Sequence, residues 1–284
     1  VGLPNSIPGC RGSLLTSWAR RAEERGFASV AAIDRIAYPT HDPLVALASA
    51  AAVTTRIQLL ANVVVGPTRN PVQLAKQAAT LQAVSGGRFV LGLGVGDRTD
   101  DFALARMPFS RRGDTLDRLI SELRSAWSGE PPCGTVEPVV AVPVHVPLLV
   151  AGHGDHGIRR AVRFSCGWTA GGLGADEVGP LAARLQVAWR EAGHEGAATV
   201  VALGYFALGA DAQAEAERYL SAYYAWYGQG SEEETIVAGL LRDADAVRRA
   251  VAAYEDAGVR ELVLYPSVPD LAQIDRLSEA LSAT

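Results

Sequence analysis

The chain has few of the features that would tie it to a membrane, a metal or a nucleic acid. Its longest apolar runs, "FVLGLGVG" and "PLLVAG", are strand-length, well short of the roughly 18 residues a spanning helix needs. No Lys/Arg block occurs, and a net charge of -5 with a pI near 5.6 gives no footing for a phosphate backbone or an anionic surface. The three cysteines, Cys10, Cys133 and Cys166, are odd in number and far apart. They lack CxxC spacing, which excludes a disulfide framework and a zinc knuckle and points to a reducing cytoplasm. Of five histidines, only His153 and His156 are close, no HExxH pair exists, and no metal is expected. No targeting segment is visible, so the expected partner is a small soluble molecule.

What the chain does have is alternation. Eight segments read as strand then helix, and nearly every strand ends in Gly, Pro, Asn or Asp. This predicts an α/β fold, a single (β/α)8 TIM barrel over residues 1–284, the size such a barrel requires. The strands are "VGLP", "SVAAI", "IQLLANVVV", "RFVLGLGVG", "LLVAG", "GWTAGG", "TVVALGYFALG" and "ELVLYP". Helices are expected from Ser13, Pro43 and Pro71, the last with Asn70 as N-cap and Gln73 as its capping-box partner. A further helix carries Leu116, Leu119, Ile120, Leu123 and Trp127 on one face. Asp176, Asp211 and Asp243 are expected N-caps, "SEEETIVAGLL" an extra short helix, and Asp270 with Gln273 the cap of the last helix. The prolines at 131, 132, 138, 143 and 147 mark an irregular excursion within the barrel. The helices over "PLVALASAAAV" and "LAKQAATLQAV" are apolar on more than one stripe, from which a homodimer is expected.

Barrel chemistry sits at the carboxyl ends of the strands. There "AGHGDHGIRR" combines a strand end, Gly152, Gly154, Gly157 and a helix start. Backbone N–H groups and the helix dipole can converge on an anion at such a place, so the segment reads as a phosphate cradle. Gly171, Gly172 and Gly174 follow at the next strand end. "ANVVVGP", apolar, β-branched and interrupted by Gly66-Pro67, reads either as an ordinary core strand or as a bulge that walls a flat ring. "GLGVGD" lacks the helix and the acidic residue that would make it a dinucleotide fingerprint, since Asp97 and a loop follow Gly96. Asp97 is then an acid held over the barrel mouth, facing Asp34 and Arg35.

The run "DPLVALASAAAVTTRIQLLANVVVGPTRNPVQLAKQAATLQAVSGGRFVLGLGVGDRTDDF", with "PLLVAGHGDHGIRRAVRFSCGWTAGG" and "AGVRELVLYP", resembles the luciferase-like flavin oxidoreductases, in particular the branch that uses the deazaflavin coenzyme F420. The resemblance implies a barrel that binds one flavin, usually as a homodimer. It implies a bulge of Asn62, Val63 and Val64 behind the ring, a non-proline cis peptide between residues 62 and 65, and a cradle of Gly152, His153, Gly154 and Gly157. Two positions depart from the family's sugar-phosphate dehydrogenases: Arg35 stands where those have His, and Asp97 where they have Glu. An Arg guanidinium does not exchange protons near neutrality. Arg35 therefore suits an anion holder, or a salt bridge to Asp34, and Asp97 a proton donor whose pKa burial would raise. The expected activity is F420-dependent hydride transfer between the coenzyme and a small organic substrate, with reduction of an activated C=C or C=N bond as the favoured direction. An FMN-dependent monooxygenase and a flavin-binding protein without turnover are the alternatives.

Overall fold

A computed structural model describes residues 1–131, 137–140, 142–227 and 232–282. The chain runs α1 (Gly12–Glu24), β1 (Ser29–Ala32), α2 (Pro43–Ala51), β2 (Gln58–Val65), α3 (Pro71–Val84), β3 (Phe89–Gly94), α4 (Thr99–Leu104), α5 (Arg112–Trp127) and β4 (Leu148–Ala151). It continues with α6 (Gly154–Arg163), β5 (Gly167–Thr169), α7 (Ala175–Glu191), β6 (Val200–Phe206), α8 (Gln213–Tyr224), α9 (Glu232–Ala238), α10 (Ala244–Asp256), β7 (Glu261–Pro266) and α11 (Ala272–Ser282).

The strands β1 to β7 pair in sequence order, all parallel. The first expected strand, "VGLP", is a bridge and not a full strand. Gly2 N–H donates to Leu264 O at 2.8 Å, and Leu3 N–H donates to Ala31 O at 2.7 Å, so this segment fills the eighth position between β7 and β1. Strand interiors and helix stripes bury together: Leu59, Leu91, Trp168 and Val263 from the sheet, Trp18, Leu47, Leu74, Leu116 and Ile120 from the helices.

The caps follow the sequence in part. Asn70 Oδ1 accepts from Gln73 N–H at 3.1 Å, Asp243 Oδ1 from Ala246 N–H at 2.7 Å, and Asp270 Oδ1 from Ala272 N–H at 3.0 Å. Gln273 is instead fully buried and bonds both polar groups of the Leu208 backbone. Asp176 lies inside the first turn of α7, where Glu177 Oε2 accepts from the N–H of Gly174, the capping residue. Asp211 is not a cap either, because α8 starts two residues later behind Ala212. The loop expected after Asp97 contains the short helix α4. Cys133, Pro132 and Ser231 lie outside the described residues. Cys10 and Cys166 are free and buried, and burial pushes the Cys166 thiol up to about 12. Among the described residues no helix is long and apolar enough to cross a membrane.

Candidate active site

Between Ala61 and Val64 the register of β2 against β3 shifts, and the Asn62–Val63 peptide is cis, within the span expected. β3 makes the room. A Cβ on Gly92 would lie 2.2 Å from Ala61 O, and one on Gly94 2.8 Å from the Val63 side chain. The glycines of "GLGVGD" thus accommodate the bulge of the neighbouring strand. Tyr265 closes it from across the barrel, its hydroxyl donating to Asn62 O at 3.3 Å.

Over this bulge opens a cavity of about 600 Å3, lined by Asp34, Arg35, Asn62, Val63, Asp97, Gly152, His153 and Gly171 from the expected set. Val64 is fully buried in the core and does not reach it. Gly154 and Gly157 stand behind the wall in α6, and Gly172 beside Leu203. α6 begins without a side-chain cap, so the amides of its first turn are free to meet an anion. The approach is close: a Cβ on Gly157 would lie 2.3 Å from Gly152 O.

The three candidate acid–base and anion-holding residues differ sharply in setting. The Asp34 side chain is 3% exposed. It accepts from Arg69 Nη2 at 2.9 and 2.8 Å and from Val65 N–H at 3.0 Å. Burial raises its carboxyl, and the Arg69 charge and these bonds oppose that rise. Arg35 therefore has no bridge to Asp34. Its Nη1 donates to Tyr223 O at 2.6 Å, and its guanidinium lies 3.8 Å from the centre of the Tyr38 ring and 4.5 Å from that of Tyr223. Asp97 is not buried as expected: it lines the cavity, but its side chain is 58% exposed, 3.5 Å from Arg112.

Sequence reasoning missed Arg98, Arg112, Arg160, Tyr223, Tyr224 and Trp226, which also line the cavity. The run "YYAWY" in a chain with only 7% aromatics was the available signal. Four donors of the lining residues are buried with no hydrogen-bond partner among the described residues: Asn62 Nδ2, Arg35 Nε, and Nε and Nη1 of Arg98. An orphaned buried donor is costly unless a ligand satisfies it. Among the described residues no cluster of three His, Cys, Asp or Glu side chains is arranged to hold a metal.

The model of the luciferase-like monooxygenase family matches residues 13–279. The chain belongs to this family. Among luciferase-like relatives, an uncharacterized protein of Mycobacterium tuberculosis is 32% identical over 207 residues, covering 62% of this chain and 71% of that protein. The monooxygenase RslO1 from Streptomyces bottropensis shares the fold, with a TM-score of 0.79 at 20% identity over 99% of this chain and 97% of that one. An F420-dependent secondary alcohol dehydrogenase, solved with an F420-acetone adduct, has a TM-score of 0.78 at 18% identity, covering 95% and 94%. A Type II Baeyer-Villiger monooxygenase from Pseudomonas putida in complex with FMN has a TM-score of 0.74 at 16% identity, covering 100% and 96%, so enzymes solved with F420 and with FMN share this fold.

Proposed function

We propose that this chain is an oxidoreductase that uses coenzyme F420 to move a hydride to a small organic substrate, reducing an activated C=C or C=N bond. The observation that carries this reading is Asn62, 2% exposed, lining the cavity at the bulge with an amide that has no acceptor. A flat ring rich in carbonyl and nitrogen acceptors fits that donor. The uncapped start of α6 supports a place for the coenzyme's phosphate at Gly152 and His153. When bound, the coenzyme supplies the hydride.

The chain's own residues bind, orient and handle protons. Val63 and Leu203 give the cavity apolar wall. Asp97, open to solvent beside Arg112, relays a proton from water to the substrate through its carboxylate. Asp34 is a positioning residue that ties the end of β1 to Val65 through its bonds. Arg35 holds negative charge. The protein works as a homodimer through α2 and α3, which expose Val45 (68%), Val72 (48%) and Val84 (61%).

Equilibrium titration of the purified chain with oxidised F420 and with FMN tests the reading, followed by turnover with each coenzyme reduced. Tighter binding of F420 and oxygen-independent turnover are expected. Product formed only with reduced FMN and oxygen makes the chain a monooxygenase instead. Binding of neither coenzyme removes both.

A further inference from the structure

We infer that Arg35 and Arg98 form a site for one carboxylate group of the substrate, at the β1 side of the cavity and apart from the phosphate position at β4. The inference rests on the proposed function for the word substrate alone, since the anion site is built into the chain itself.

Arg35 is 8% exposed and lines the cavity. Among the described residues its guanidinium meets the Tyr223 carbonyl and two aromatic faces. No carboxylate among the described residues pairs with it, and its Nε has no acceptor. Cation–π contact offsets far less than burying an unpaired charge costs. The acids nearby are engaged elsewhere. Arg69 holds Asp34, and Arg112 lies beside Asp97. Asp101 Oδ1 accepts from the amides of Ile36 and Ala37 at 3.0 and 2.6 Å.

Arg98 stands next to this site. Its side chain is 12% exposed and its guanidinium carbon is 5.0 Å from the Trp226 ring centre. It meets Asp100, and its Nε is 3.8 Å from Asp101, yet Nη1 has no acceptor among the described residues. After burial, the Arg98 charge is the second cause that pushes the Arg35 guanidinium below its ordinary value. Asp100 and Asp101 both lie against Arg98, and Asp101 acts on Arg35 only from a distance, so among the described residues no carboxylate touches the Arg35 guanidinium and the place of one is open. Planar guanidinium donors match a carboxylate in geometry. Tyr38, Tyr223 and Trp226 supply flat walls for a conjugated or aromatic acid.

Calorimetric titration with benzoate, and with benzamide as its neutral counterpart, tests the inference on the full chain with and without bound coenzyme. Benzoate is expected to saturate in both forms and to bind at least about tenfold more tightly than benzamide. Arg35→Gln and Arg98→Gln should each weaken benzoate by about tenfold or more, with coenzyme affinity nearly unchanged. Arg35→Lys keeps the charge without the fork, guards against a folding defect, and should fall between. Equal binding of benzoate and benzamide, or undiminished benzoate binding by the folded variants, overturns the site. If bound coenzyme blocks benzoate and both Gln variants lose coenzyme affinity in parallel, the anion is the coenzyme's own and the substrate assignment is overturned. Benzoate binding by a chain that takes neither F420 nor FMN supports the anion site and sinks the proposed function alone.

Discussion

Arg69 grips both carboxylate oxygens of Asp34, at 2.9 and 2.8 Å, and so pins the end of β1 to the loop that follows β2. Both residues flank the bulge that walls the cavity, and Val65 N–H adds a third bond to the same carboxylate. Breaking one half of a buried ion pair costs about 3–5 kcal/mol. Asp34→Asn should therefore lower unfolding stability by about that amount and weaken coenzyme binding with it. Urea unfolding read beside a coenzyme titration checks this. A variant with unchanged stability that has lost turnover makes Asp34 a chemical participant and not an anchor.

The contact between Gly152 and Gly157 admits no side chain, because a Cβ on Gly157 would meet the Gly152 carbonyl at 2.3 Å. Gly157→Ala must push the start of α6 away from the end of β4. A loss of about 1–3 kcal/mol in stability is expected, together with coenzyme affinity at least about tenfold weaker. Gly154 is the control. A Cβ there meets nothing within 4 Å, and only its φ of +64° resists substitution, at about 1–2 kcal/mol. Calorimetric titration of both variants separates them, and equal affinities would remove the phosphate role from this turn.

These two sites show what the sequence could and could not disclose. Alternating strands and helices gave the barrel, and Gly152, Gly154 and Gly157 marked the close turn from β4 into α6, because period and glycine placement are local properties. Arg69 was invisible as a partner of Asp34: the two are 35 positions apart, and only the pairing of β1 with β2 brings them together. Tyr223 and Trp226 reach the cavity from the end of α8 and the turn after it, on the far side of the barrel in sequence. The exposure of Asp97 escaped for another reason. A strand-end acid can be covered by the loops around it or left open to solvent, and that depends on tertiary packing the local sequence does not carry.

Glu23 makes stability depend on acid. Burial alone would raise its carboxyl, but the amides of Ile57, Arg56 and Thr55 and the Thr55 hydroxyl bond the charged form and bring it down to about 2 from 4.5. A depressed carboxylate stabilises the fold above its unfolded value and loses that contribution as pH falls toward the folded one. Glu23→Gln should thus be less stable than the parent at neutral pH by about 1 kcal/mol, a figure reduced for the solvent around this group. The gap should close as pH falls from 4.5 to about 2. Thermal unfolding of both proteins across that range measures it, and a gap that stays constant excludes the carboxylate as its source.

Asp97 provides the sharpest test of mechanism. Its carboxylate is 58% exposed and paired with Arg112 at 3.5 Å, and exposed pairs contribute only about 0–1 kcal/mol. Replacing it should leave the fold intact. Asp97→Asn is expected to keep the parent's unfolding transition and coenzyme affinity while kcat with reduced coenzyme falls by about 10²–10⁴-fold, the range of general acid catalysis. Asp97→Glu, which preserves the acid on a longer arm, should recover part of the rate. A structural role would move stability or KM and would not separate Asn from Glu in kcat. Full turnover by Asp97→Asn would instead assign the proton to another group lining the cavity, with His153 and His156 as the next residues to replace.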